Sequence, residues 1–199
     1  PVANTLNSLT ITGGKLDLSN NSLQINYGGG ASPIAGVRTE VTSGYAGGTW
    51  NGPGIDTSAA DASHELGYAD SADGVVKNLS PGTALVKYTA TGDADLDGKV
   101  DFNDRVILAR HYNQSNANWD QGDFNYDGKV GFDDLVLLAR NYGKGLSASQ
   151  LAGFDPAFRV DVERTFPGMP EPSGLGVTML AAATLARRRR RSSKCTAGD

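Results

Sequence analysis

The segment GDADLDGKVDFND, residues 92–104, places five aspartates within one short turn. Two carboxylates about 5 Å apart repel by about 3 kcal/mol at an effective dielectric near 20, and a small domain's net stability is only about 5–15 kcal/mol. Such a turn therefore needs a bound cation. The segment also occurs twice. Residues 92–112 align with GDFNYDGKVGFDDLVLLARNY at an offset of 30, and 13 of the 21 positions are identical. The identities fall on acidic and glycine positions first, then on an apolar helical pattern.

With Asp93 as loop position 1, carboxylates occupy positions 1, 3, 5, 9 and 12 as Asp93, Asp95, Asp97, Asp101 and Asp104, with Gly98 at position 6. The second loop has Asp123, Asn125, Asp127 and Asp134 at positions 1, 3, 5 and 12, with Gly128 at 6. This is the spacing of an EF-hand-type calcium loop. Such loops use side chains at 1, 3 and 5, a backbone carbonyl at 7, a water at 9 and a two-oxygen carboxylate at 12. Lys99 and Lys129 hold position 7, where only the carbonyl is needed. The expected metal ligands are thus Asp93, Asp95, Asp97, Lys99, Asp101, Asp104, Asp123, Asn125, Asp127, Lys129 and Asp134, holding two calcium ions. Magnesium, which demands octahedral geometry, suits so many flexible oxygens less well.

A helix is predicted to leave each loop. Phe102, Val106, Ala109 and Tyr112 define one apolar face, and Phe132, Val136, Ala139 and Tyr142 repeat it, widened by Ile107, Leu108, Leu137 and Leu138. Two such faces bury each other. Asp104 and Asp134 lie near the helix starts, Arg110 and Arg140 near the ends, which suits the helix dipole.

These residues resemble the type I dockerins, which carry two calcium loop-helix motifs without the first helix of a full EF-hand. The resemblance covers residues 92–143, including Trp119 and Asp120 in the connector. It implies calcium-dependent docking of a secreted, polysaccharide-associated protein onto a cohesin-like module. Loop positions 10 and 11 are Phe102-Asn103 and Phe132-Asp133, where cohesin-binding members usually carry small hydroxylated or aliphatic residues.

The C-terminal end is similar to a PEP-CTERM sorting signal: Pro170-Glu171-Pro172, an apolar run from Leu175 to Ala186, then Arg187 to Arg191. That resemblance implies processing by an exosortase-type enzyme and export to the exterior or cell surface of a Gram-negative-type bacterium, with transient anchoring through the tail. Arginines after the run fit a cytoplasmic end. Twelve helical residues reach about 18 Å against a hydrocarbon core of about 30 Å, so a full span is not secured. The alternative is a basic tail that binds anionic lipid.

Charge supports this division. Residues 170–199 hold six of 18 basic and two of 22 acidic residues, leaving the tail at +4 and the body at -8. An acidic body argues against nucleic acid as a partner. The single cysteine, Cys195, offers neither a disulfide framework nor a CxxC metal site. A start at Pro1 without a leader is read as the C-terminal piece of a longer protein.

The first 90 residues are glycine-rich. Ser8–Ile11, Lys15–Leu18, Leu23–Tyr27 and Thr83–Thr89 have strand character, suggesting a meander or the last coils of a β-solenoid. A helix is expected after Ser32 and Pro33, with Ile34, Val37 and Val41 on one face and Gly44 at its end. Tyr45 and Trp50 are read as ordinary packing rather than a sugar-stacking platform, and a carbohydrate is left open as a ligand. His64-Glu65 lacks the second histidine of a zinc helix motif. Asp56, Asp61, Glu65, Asp70 and Asp73 could in principle supply a glycosidase pair, but loop acids are usually just solvated. No catalytic site is expected, and any hydrolase would lie upstream.

The expected organisation is mixed: a β-rich domain over 1–90, an all-α calcium pair over 91–143, a linker over 144–169 and the sorting tail over 170–199. The alternative function is a calcium-stabilised structural spacer without a specific partner.

Overall fold

A computed structural model describes residues 3–142 and 156–165. The tail expectation falls on 170–199, outside the described residues, and no described helix is long and apolar enough to cross a membrane.

Six strands and four helices build the described chain. The strands are β1 (Ala3–Leu6), β2 (Lys15–Asp17), β3 (Ser22–Asn26), β4 (Gly54–Asp56), β5 (His64–Asp70) and β6 (Thr83–Ala90). The helices are α1 (Ile34–Tyr45), α2 (Phe102–His111), α3 (Phe132–Asn141) and α4 (Pro156–Thr165). A four-stranded sheet runs in the order β1-β3-β6-β5, and β2 pairs with β4 in a separate ribbon. β1 lies parallel to β3, whereas β3 and β5 flank β6 antiparallel, so the sheet is mixed and not a meander. Ser8–Ile11, expected as a strand, is irregular, and the first strand lies earlier, at Ala3–Leu6.

α1 forms where its apolar spacing predicts. The Ser32 hydroxyl accepts from Ile34 N at 3.2 Å, and Val37 and Val41 are buried. Gly44 does not end the helix, which continues to Tyr45 and closes on left-handed Ala46. Its role is close approach: a Cβ there would sit 1.9 Å from the Ile55 carbonyl oxygen of β4.

β5 escaped the sequence reading because it lacks alternation. Every residue from Glu65 to Asp70 is buried, since the strand is covered from more than one side. A Cβ on Gly67 would lie 2.5 Å from Leu96 and 2.6 Å from the Trp119 indole nitrogen. The acidic-loop segment is therefore packed directly on this strand. The Tyr126 hydroxyl donates to Leu66 O at 2.7 Å, and the Arg38 guanidinium donates to Asn116 O at 2.9 Å.

These contacts cross the expected boundary at residue 90. Residues 3–90 and 91–142 belong to one compact unit. Aromatic rings make the shared core continuous: Tyr45 lies 5.3 Å from Trp50 and 4.5 Å from Tyr126, and Trp119 lies 5.5 Å from Tyr126 and 5.0 Å from Phe124. The expected linker over 144–169 also contains structure. Phe158 and Val162 of α4 are fully buried, the Phe158 ring sits 5.3 Å from Tyr112, and the Tyr112 hydroxyl donates to Asp161.

The helix faces differ from expectation as well. Phe102 and Phe132 are each 36 % exposed and Arg105 and Leu135 are buried in their place, while Leu108, Ala109 and Leu138 are buried as expected. The reason is a crossed contact between the repeats. A Cβ on Gly92, which opens the first loop at φ +101°, would meet Leu138 Cα of α3 at 2.7 Å. A Cβ on Gly122, at φ +109°, would meet Leu108 Cα of α2 at 3.0 Å. Each loop thus starts against the other motif's helix. Gly92→Ala adds backbone strain and a backbone clash, for an expected loss of about 2–4 kcal/mol. Gly98→Ala, at φ +94° with nothing within 4 Å, adds strain alone and loses about 1–2 kcal/mol. Urea melts in saturating calcium check this order; equal losses would contradict the crossed packing.

Candidate metal centre

Strand β6 delivers the chain into the first loop, and three braces fix the entry. Asn141 of α3 donates to Thr91 O at 2.8 Å, the Thr89 hydroxyl donates to Asp93, and Lys87 Nζ donates to Leu96 O at 2.6 Å. The Trp119 indole N–H donates to the Asp93 carbonyl at 2.8 Å. None of these partners was legible from loop spacing.

Inside the loop, Gly98 N donates to Asp93 Oδ2 at 2.8 Å and Asp97 N to Asp93 Oδ1 at 3.1 Å. Asp97 in turn accepts from Lys99 N at 2.9 Å. These bonds fold the turn so that one carboxylate oxygen each from Asp93, Asp95 and Asp97 lie within 4.8 Å of one another. The second loop repeats the pattern: Gly128 N to Asp123 Oδ2 at 3.0 Å, Asp127 N to Asn125 Oδ1 at 2.9 Å, Lys129 N to Asp127 Oδ1 at 2.8 Å. Leu96 and Tyr126, both at position 4, take positive φ of 55° and 61° and are held there by burial.

The position-12 residues act as braces in both loops. Asp104 Oδ1 accepts from Ala94 N at 2.8 Å and Asp95 N at 3.2 Å, while Oδ2 accepts from Asp101 N at 2.7 Å. Asp134 does the same toward Phe124, Asn125 and Gly131. A carboxylate offers about four lone-pair sites, so neither role uses up its capacity. Asp101 caps α2 by accepting from Asn103 N at 2.7 Å; Gly131 leaves α3 without that cap. The structure therefore gathers Asp93, Asp95 and Asp97 as one tight group and leaves Asp101 and Asp104 in cap and brace positions beside it. Lys99 and Lys129 are exposed, with Lys129 bridging backbone to Ser115.

Burial makes this arrangement costly without a cation. Desolvation pushes the carboxyls of Asp93 and Asp134 up to about 6 and those of Asp104 and Asp123 up to about 7. Asp95 is raised for the same reason, with the Asp97 charge adding to it. Asp123 is fully buried, and its Oδ1 has no hydrogen-bond partner. A buried orphan oxygen at position 1 is what a cation ligand looks like from the protein side. The residues therefore fit a hard divalent cation that takes oxygen donors.

The acids of the first 90 residues are dispersed. Asp56 pairs with Lys15 at 2.7 Å, Asp70 accepts from Tyr27 at 2.6 Å and from Ser32, and Asp61 accepts from Ser63 N at 2.7 Å beside His64. Asp120, read only as part of the connector, is fully buried near Asp73 and Asp70, and desolvation raises its carboxyl well above the usual range. Glu65 lies in a cleft, with its carboxyl toward Thr91 and toward Tyr126 of the second loop.

No protein-family model matches the chain, and comparison with curated proteins and with solved structures returned no match.

Proposed function

We propose that residues 92–142 form a calcium-folded module that docks an exported, polysaccharide-associated protein onto a partner. The observation that carries this reading is the duplicated acidic loop whose position-1, 3 and 5 oxygens converge within 4.8 Å in the first copy. Asp93, Asp95, Asp97 and Asp104 would hold one calcium ion, and Asp123, Asn125, Asp127 and Asp134 a second. The carbonyls of Lys99 and Lys129 would complete the sets. A bound cation supplies the charge compensation that lets two anionic turns close, and the crossed contacts of Gly92 and Gly122 transmit that closure to both helices.

The exposed rings of Phe102 and Phe132, at equivalent positions of the two repeats, support a docking surface. A cohesin-like module is the partner class that the loop pattern suggests, and the tail suggests exosortase processing on the way to the surface. A pull-down from the organism's exported proteins tests docking. A stoichiometric partner released by chelator, and lost with Phe102→Ala and Phe132→Ala combined, supports it; a calcium-saturated chain that retains nothing contradicts it.

A second reading, a calcium-stabilised spacer, draws on the burial of Trp119, Phe124 and Tyr126 against the strands and on α4 packing over Tyr112. Those contacts stiffen a chain whether or not it docks.

The two loops differ in charge, since the second has Asn125 at position 3 and Gly131 at position 9. Asp97→Ala is therefore expected to remove more calcium affinity than Asp127→Ala. Calorimetric titration of both variants checks this, and an equal or larger loss from the second change would count against it.

A further inference from the structure

We propose that a cleft between α1, the start of β5 and helix α3 is a binding site for a neutral saccharide, lined by side chains other than the proposed calcium ligands. Its volume is about 560 Å³, within the range of small-ligand sites. The walls combine the three chemistries a sugar requires. Tyr45, Trp50 and Leu137 give apolar surface for C–H faces, Ser58 and Thr91 bring hydroxyls, and Glu65 and Arg140 place an acceptor and a donor.

Charge decides among ligand classes. Asp61 also lines the cleft, but it is answered by the Ser63 amide at 2.7 Å and by His64 at 3.1 Å. Those contacts keep Asp61 ionised at the exposed rim, so the cleft carries two carboxyls, Asp61 and the buried Glu65, and one guanidinium, Arg140. A phosphorylated or carboxylated ligand meets Glu65, and a polyamine meets Arg140. A neutral polyol donates to the first and accepts from the second, and its hydroxyls do both at once.

Glu65 is the unusual member. It is 7 % exposed, with its carboxyl facing the Thr91 and Tyr126 hydroxyls, and desolvation raises it to about 7. Holding an acid at the base of a polar cleft is unfavourable for folding alone, which is the pattern of a residue kept for binding. Trp50, at 8 % exposure, contributes an edge and not an open stacking face, since its ring packs against Tyr45 and Tyr126. The site is therefore a pocket for a mono- or disaccharide and not a platform for a long chain. Leu137 and Arg140 belong to α3, so the cleft is complete only when the second loop and its helix are folded.

The two tryptophans allow a direct test on the calcium-saturated full chain. The Trp50 indole N–H reports the cleft, and the Trp119 indole N–H, bonded to Asp93 O, reports the first loop. Proton–nitrogen spectra are recorded with cellobiose, maltose, xylobiose and mannobiose in turn, and with glucuronate, glucose 6-phosphate and spermidine. The expected result is a saturable shift of the Trp50 signal with at least one neutral disaccharide while Trp119 stays in place. Glu65→Gln and Arg140→Ala should each weaken that binding by about tenfold or more. Arg140 is exposed, so its variant retains the fold and keeps the test valid. A Trp50 signal unmoved by every neutral disaccharide, moved only by the charged probes, or titrating in both variants as it does in the parent overturns the proposal. The calcium reading survives any of these outcomes as long as the Trp119 signal remains that of a folded loop.

Discussion

Trp119→Ala should lose about 3–5 kcal/mol of stability, the range for truncating a fully buried large aromatic side chain. The indole is 0 % exposed and lies over Gly67 of β5 against Phe124 and Tyr126. It also donates to the Asp93 carbonyl at 2.8 Å, so its loss frees the first residue of the first loop. Two readouts follow. Urea melts should show the large destabilisation, and calorimetry should show the first loop losing more calcium affinity than the second. Tyr45→Ala, which removes a half-buried ring, is the control and should lose less. A stability change below about 1 kcal/mol would mean that the connector does not join strand sheet and loops into one core.

The second large effect is expected at Glu65. Its folded carboxyl sits at about 7 against 4.5 for an unperturbed one, with desolvation as the main cause. The folded state therefore binds this proton more tightly than the unfolded state. The resulting stability is fully present below about pH 4.5 and is lost as pH rises through about 7. The shift corresponds to about 3 kcal/mol between those limits. Glu65→Gln removes the titration, so the variant should match the parent near pH 4.5 and exceed it by up to that amount at pH 8. Melting in saturating calcium across this pH interval checks the difference curve; parallel curves for the two proteins would show that Glu65 is not desolvated. A variant more stable than the parent yet unable to take up saccharide would separate folding from binding at one residue.

Much of the candidate site was legible because metal loops constrain residue type at fixed spacing. Gly98 and Gly128 occur where the turn needs positive φ, and the oxygens of Asp93, Asp95 and Asp97 converge as that spacing requires. The supports were not legible, because they come from distant chain: Lys87 and Thr89 from β6, Trp119 from the connector, Asn141 from α3. The helix faces were misread for a related reason. Phe102 and Val106 match a helical period as well as Leu108 does, and only the docking of Gly122 on Leu108 decides which side is covered. Arg105 hides the core face further, since a buried arginine lying 3.8 Å over the Tyr142 ring stands where the second copy has Leu135. β5 was missed because a strand covered from more than one side shows no alternation, and its glycine, which admits Trp119, reads as a breaker.

The same packing would make the proposed metal-folded module behave as part of the whole chain. The two acidic loops lead into α2 and α3, α3 carries Leu137 and Arg140 to the cleft, and Tyr126 of the second loop bonds the strand at Leu66. Loss of the cation should therefore spread beyond the loops. One site held at 1,000 times its dissociation constant contributes about 4 kcal/mol. Each kcal/mol shifts the melting temperature of a domain this size by about 2–4 °C.

The most direct measurement is helicity and melting temperature of the purified chain before and after exhaustive EDTA treatment, followed by calcium add-back with calorimetric stoichiometry. The expected result is lost α2 and α3 helicity, a melting temperature lower by about 8–16 °C for each site emptied, and recovery on binding two ions per chain. Unchanged helicity and melting after chelation, or no heat of calcium uptake, would contradict it.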